Sequence, residues 1–351
     1  MRAVLVAGLL VAGCATRHET RSPVFYPPPP AEARIQYLTT FSSAADLPGR
    51  RVGFARFVLG RETAAPAIRK PYGVAMHDGR LYVVDTRGPG YTVFDFPQRS
   101  LHLVSGSGAA RMKKPVNIAV DGDGTKYVCD TGLDQILVFD VKDRFVRAYE
   151  VPGPFRPGAV AIDGERLYVT DLERHQVHVL DKASGRTLRS FGKAGSKDGE
   201  FFFPTNLAVG PGGTLYVTDT GNFRVQVFTP DGEFVRSFGG IGNALGRFAR
   251  PKGIAVDREG RTYVVDAAFD NVQVFDPEGK LLLFFGQAGP EPEDVSLPAA
   301  VAIDYASVHF FQRYAAPGFT LEYVILVSSQ FGPGKVNVYG FGARAAPPET
   351  P

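Results

Sequence analysis

The sequence predicts an all-β fold: a six-bladed β-propeller of four-stranded antiparallel blades, with the last blade closed by an N-terminal strand. Three observations carry this. First, the chain repeats itself. "LYVTDTGNFRVQVFTPDGEFVRSFG" (Leu215 to Gly239) returns 47 residues later as "TYVVDAAFDNVQVFDPEGKLLLFFG" (Thr262 to Gly286), with weaker copies starting at Leu81, Lys126 and Leu167. Second, a proline-led apolar patch precedes each copy. These prolines are Pro71, Pro115, Pro157, Pro204, Pro251 and Pro298, spaced 44, 42, 47, 47 and 47 residues apart. Third, one unit holds four short runs rich in β-branched and aromatic residues ("NLAV", "TLYVTD", "RVQVF", "EFVRSF"), bounded by Gly, Pro, Asn and Asp. Four strands at a period near 45 residues match one propeller blade, and six such units match a closed ring that leaves few exposed edges.

Taken in order, the chain opens with "MRAVLVAGLLVAGC". Arg2 and the apolar run Ala3–Gly13 suit a signal peptide and are too short for a comfortable membrane span. Small residues before Cys14 resemble the bacterial lipoprotein box. That resemblance implies cleavage after residue 13, lipidation of Cys14 and, with Ala at position 15, an outer-membrane address. An ordinary secretory signal with an incidental cysteine is the other reading. Residues 14–33 are polar and then proline-rich, and are expected to form an extended tether. The ring is expected over residues 34–341, followed by a disordered tail over 342–351.

Within the ring the units beginning at Pro71, Pro115, Pro157, Pro204 and Pro251 are complete. In each, the aspartate ending the second strand (Asp85, Asp130, Asp171, Asp219, Asp266) lies nine residues before the last residue of the third. The sixth unit differs. From Pro298 to Ser329 it needs 31 residues where the others need 14 or 15, and the chain ends before a fourth strand can form. "ARIQYLTTF" (Ala33 to Phe41) has the length and apolar spacing of the missing strand, so residues 34–41 are expected to close the ring.

The pattern "P-x-G-[IV]-A-V-D … YVxD … N-x-R-V-Q-V-F … G … FG" resembles the NHL repeat, whose propellers are commonly six-bladed and serve many functions. With the lipobox, the Pro-rich segment and the C-terminal "SSQFGPGKVNVYGFG", the chain looks like exported NHL lipoproteins of anaerobic, metal-respiring bacteria. That resemblance implies a multihaem cytochrome as partner.

Composition narrows the function. The 39 Lys and Arg against 36 Asp and Glu give no strongly basic balance, so nucleic acid is not expected as a partner. Of the two cysteines, Cys129 takes a position where other copies have Val or Thr, so it reads as core, and no disulfide is expected. The repeated aspartates read as architecture, since a strand-ending Asp can accept backbone N–H bonds from the following turn. The inner-strand starts bring Asn117, Asn206 and Lys252 to the channel mouth but no carboxylate or imidazole, so neither metal nor cofactor is expected. His175 and His178 are expected to be a solvated pair, and no Ser-His-Asp pattern is evident.

Two departures from the repeat remain. The sixth-unit insertion "YASVHFFQRYAAPGFTLEY" groups Phe310, Phe311, Arg313 and Tyr314, which suits either a docking surface or a plug over the mouth. The segments leading into the six inner strands share the opposite face and carry 14 Lys and Arg against 7 Asp and Glu, with Arg50, Arg51, Arg111, Lys113, Lys114, Arg247 and Arg250 prominent. The favoured function is a membrane-anchored scaffold that binds a protein or ligand through such surfaces. The alternatives are a metal-dependent lyase or lactonase of propeller type, and a small-ligand binder at the channel mouth.

Overall fold

The computed structural model describes residues 22–48 and 68–344. Cys14, Arg50 and Arg51 lie outside the described residues. Each inner strand starts at a repeat proline: Pro71–His77, Pro115–Val120, Pro157–Asp163, Pro204–Val209, Pro251–Val256 and Pro298–Asp304. Proline cannot donate to a ladder, so the first residue of a strand is where it fits. The second strands, such as Lys126–Asp130 and Leu215–Asp219, end on the repeated aspartate, except in the sixth blade, where Phe319–Ser329 ends on serine. Third and fourth strands complete antiparallel sheets as in Arg224–Phe228 with Phe234–Gly239.

The inner strands contact their neighbours in a closed circle. Close approach is built in by glycine. A Cβ on Gly73 would lie 2.7 Å from the Asn117 Cα, and one on Gly253 would lie 2.5 Å from the Ala300 Cα. The core is divided between adjacent sheets. Tyr216, Val225 and Val227 of blade four, for example, pack with Ile254, Val264 and Phe275 of blade five. The third strands bury both faces, so that Gln226 is as fully enclosed as Val225. Cys129 is fully buried, and burial pushes its thiol well above the ordinary range.

Closure follows the expectation. Ile35–Phe41 pairs antiparallel with Val336–Arg344, running from Ile35 opposite Phe341 to Phe41 opposite Val336. The ordered sheet extends past both expected limits. Within the stretch expected to be tether, Phe25–Tyr26 forms a fifth strand on Ile35–Phe41, and Phe25 is buried with its ring 5.4 Å from Phe319. The aromatic pair in "VFYPPPP" covers an edge that the polar composition around it obscured. At the other end, pairing with Phe319 carries the third strand to Arg344, into the expected tail.

The sixth-blade insertion buries part of its aromatic group and leaves Arg313 exposed. It forms a short helix, Val308–Phe311, at the seam between the last and first blades. Phe311 is fully buried, 5.3 Å from the Phe96 ring and 6.3 Å from Phe41. Phe310 tilts against Phe96 at 5.9 Å, and Gln36 accepts the Ala316 N–H at 2.9 Å. The aromatics close the ring's joint, because the joining strand Ile35–Phe41 supplies part of the same cluster.

Candidate functional site

The aspartates determine how one face of the ring is built. Asp130 accepts N–H bonds from Lys113 (2.7 Å) and Lys114 (2.9 Å) in the loop leading into its own blade, and from Gly132 (2.9 Å) and Leu133 (3.1 Å) in the turn after it. Asp85 binds Arg69, Lys70 and Arg87 in the same way, and Asp266 binds Ala249, Arg250 and Ala268. The repeated carboxylate therefore fastens the lead-in loop to the turn between the second and third strands. Both belong to one face, called here the lead-in face.

Blade three adds a constellation that the sequence did not disclose. The His178 Nδ1 lies 2.6 Å from the Ser190 Oγ, and its Nε2 lies 3.0 Å from the Asp171 Oδ2. His178 is buried, and His175 stacks on Phe202 at 5.5 Å, so the pair is not solvated. The serine, histidine and aspartate are in line, yet the histidine–aspartate contact has a counterpart in the next blade. Gln226 makes the equivalent bond to Asp219 (3.2 Å) in blade four. The Arg174 Nη2 also lies 3.1 Å from the same His178 nitrogen, and Asp171 also accepts from the Arg156 and Glu173 N–H groups. Burial alone would raise the Asp171 carboxyl, but these donors hold it well below the usual range. The chain of bonds ties the second, third and outer strands of one blade together.

Two cavities open on the lead-in face. The first, of about 560 Å³, is the mouth of the central channel, lined by Lys70, Tyr72, Lys114, Arg156, Thr205 and Gln330 among others. No carboxylate lines it. Lys252 lies beside it with its Nζ 5.0 Å from the centre of the Tyr72 ring, and only 7% of its surface is exposed. Burial first, then the charges of Arg250 and Lys70, push its ammonium down to about 8. The second cavity, of about 890 Å³, is an outer groove between blades one and two, lined by Arg87, Arg111, Lys113, Met112, Leu133 and Phe145 among others. Among the described residues no ion pair engages Lys70, Lys114, Lys252, Arg87, Arg111, Lys113 or Arg250.

The expected site residues thus separate. Lys114 belongs to the mouth, Arg111 and Lys113 to the groove, and Arg250 is an exposed neighbour of Lys252. Arg247 folds back on its own loop, donating to the Gly239 carbonyl at 2.6 Å. Asn117 is structural, because its Oδ1 accepts the Val160 N–H of the next blade at 3.1 Å. Asn206 is buried, and its Nδ2 has no partner. Arg313 lies over the Tyr314 ring at 5.0 Å on the opposite face. The sequence reading missed the exposed aromatics of the lead-in face. Phe202 and Phe203 are each 46% exposed, with His175 against both, and Ile241 is 72% exposed. The run of three phenylalanines before Pro204 ("FFFP"), absent from the other units, is the signal that would have found them.

Among the described residues, no three His, Cys, Asp or Glu side chains are grouped so as to hold a metal ion. The family model for the NHL repeat matches residues 201–228, from the lead-in loop to the third strand of blade four. Solved structures share the fold. Virginiamycin B lyase from Staphylococcus aureus is 14% identical, with 78% of this chain and 82% of that chain covered at a TM-score of 0.54. A gluconolactonase from Xanthomonas campestris is 16% identical over 88% of this chain and 89% of that one, at a TM-score of 0.58. A chain of the nidogen/laminin complex is 19% identical over 72% and 92%, at a TM-score of 0.53. At these identities the likeness is one of architecture, shared by enzymes and binding proteins.

Proposed function

We propose that this six-bladed propeller is a binding scaffold of the cell envelope, and that its lead-in face docks an acidic protein partner. The observation that carries this is the uncompensated positive charge of that face. Arg87, Arg111 and Lys113 rim an open groove with an apolar floor that includes Met112, Leu133 and Phe145. Exposed Phe202, Phe203 and Ile241 supply apolar anchors on the same face. The loop before blade six instead carries Glu291, Glu293 and Asp294, so the face is polarised and would orient a partner during encounter. An acidic exported multihaem cytochrome is the partner that the sequence resemblance suggests.

The anchoring reading rests on "VAGC" and on a lipid at Cys14. Phe25 already pairs with the closing strand, so ten residues of sequence separate the ring from Cys14. The test of docking is capture with the full chain, followed by association kinetics of the recovered partner. The double variant Arg111→Glu, Lys113→Glu is expected to slow association at low salt and to converge on wild type as salt rises. Rates indifferent to both the reversals and salt would overturn the reading. For the anchor, Cys14→Ser is expected to abolish lipid incorporation, and unchanged membrane fractionation would refute it.

A further inference from the structure

We infer that the channel mouth on the lead-in face is a binding site for a small anion carrying phosphate, sulfate or carboxylate groups. Three cationic side chains from three successive blades, Lys70, Lys114 and Arg156, converge on one cavity of about 560 Å³ that no carboxylate lines. The cavity is therefore built by the ring itself and does not depend on a single loop.

The nearest acids do not neutralise it from within. Asp85, Asp130 and Asp171 are occupied by backbone N–H groups of the lead-in loops and turns. Glu173 meets Arg156 at 3.2 Å, with both groups about half exposed, so that pair is screened by water. The threonines of the wall are also committed. Thr86 donates to the Lys70 carbonyl at 3.1 Å and Thr131 to the Lys114 carbonyl at 3.2 Å. Recognition is thus left to the ammonium and guanidinium groups, which suits a compact, strongly charged ligand better than a neutral one.

Lys252 is the second, independent observation. It is more than nine-tenths buried, and among the described residues it has no carboxylate partner. The charged and titratable groups facing it are Lys70 and Tyr72 from blade one and Arg250 from its own loop; two of the three are cations. A buried ammonium among cations is costly unless something compensates it. Lys252 does not itself line the cavity; its Nζ lies 5.0 Å from the centre of the Tyr72 ring, which does, so its charge stands one side chain behind the wall and acts on an anion in the mouth through space. Burial has already lowered its proton affinity toward about 8, so the site is charged at neutral pH and loses that charge above it.

The site is separate from the outer groove, and the two readings fail separately. The test is titration calorimetry of the full chain in detergent at constant ionic strength, with sulfate and succinate as probes, since neither changes charge between pH 7 and 9.5. The expected result is saturable one-to-one binding of at least one probe, weakened about tenfold or more from pH 7 to 9.5 as Lys252 deprotonates. Lys252→Met is expected to lose tenfold or more at pH 7. Lys252→Arg is expected to retain affinity and to lose the pH dependence. Lys142→Gln, at an exposed turn on the opposite face, is expected to change affinity by less than twofold. If Lys252→Met fails to fold by circular dichroism, the pair Lys70→Gln and Arg156→Gln is expected to give the same loss. Sulfate in preference to succinate would indicate a tetrahedral oxyanion, and the reverse a carboxylate. No saturable binding of either probe, or full affinity in Lys252→Met or in the Lys70/Arg156 variant, would overturn the inference.

Discussion

Asp130 is fully buried and yet satisfied, because four backbone N–H groups point at it. Removing the carboxylate strands several buried donors at once, each worth about 1–3 kcal/mol. Asp130→Ala is therefore expected to destabilise by roughly 3 kcal/mol or more in chemical denaturation, while Asp130→Asn, which retains one acceptor oxygen, costs less. Lys252 works in the opposite direction. Its proton affinity falls from 10.5 when exposed to about 8 in the fold, so the unfolded chain binds more protons between these values and stability rises with pH across that window. Below about pH 8 the full cost of roughly 3 kcal/mol is present. Lys252→Met should therefore stabilise the protein at pH 7 and flatten its stability profile from pH 8 to 10.5. A variant less stable than wild type at pH 7 would show that the contact of the ammonium with the Tyr72 ring outweighs the cost of its burial. The two residues differ in legibility. The aspartate's role could be read from its place in five of the six copies, but the lysine's could not, because its cost comes first from burial in the closed ring and then from the charges of Arg250 and Lys70, the latter some 180 residues earlier.

At the scale of strands, the repeat prolines, the turn residues and the spacing from Asp to the third strand were enough to place the blades, since each signal is local. Closure was also legible, because a fourth strand was missing at one end and present in excess at the other. The fifth strand at Phe25 was not legible. Only two residues pair, and the four prolines after them read as a tether. Phe25 is buried against Phe319, so Phe25→Ala is expected to cost about 3 kcal/mol, whereas a substitution such as Pro28→Ala should have little effect. Deleting residues 34–41 removes the strand that joins the two ends and should abolish cooperative unfolding. The insertion in blade six was visible as extra length, but its role was not, because Phe311 packs on Phe96 of the first blade and Phe41 of the closing strand, both far away in sequence.

At the scale of the whole molecule, ring symmetry hides function, and the departures from symmetry expose it. The positive loops were countable in the sequence. What the sequence did not reveal was their division into a groove (Arg87, Arg111, Lys113) and a channel mouth (Lys70, Lys114, Arg156), or the exposure of Phe202 and Phe203 beside them. Charge reversal at Arg111 and Lys113 should leave stability within about 0.5 kcal/mol, since both are exposed loop residues, and so isolate the effect on binding. The most direct test of docking on this face is amide hydrogen exchange of the full chain alone and with its captured partner. Slowed exchange is expected in residues 104–114, 151–156 and 239–250, with residues 305–318 on the opposite face unchanged. Protection confined to residues 305–318, with the lead-in loops exchanging as in the free protein, would contradict it.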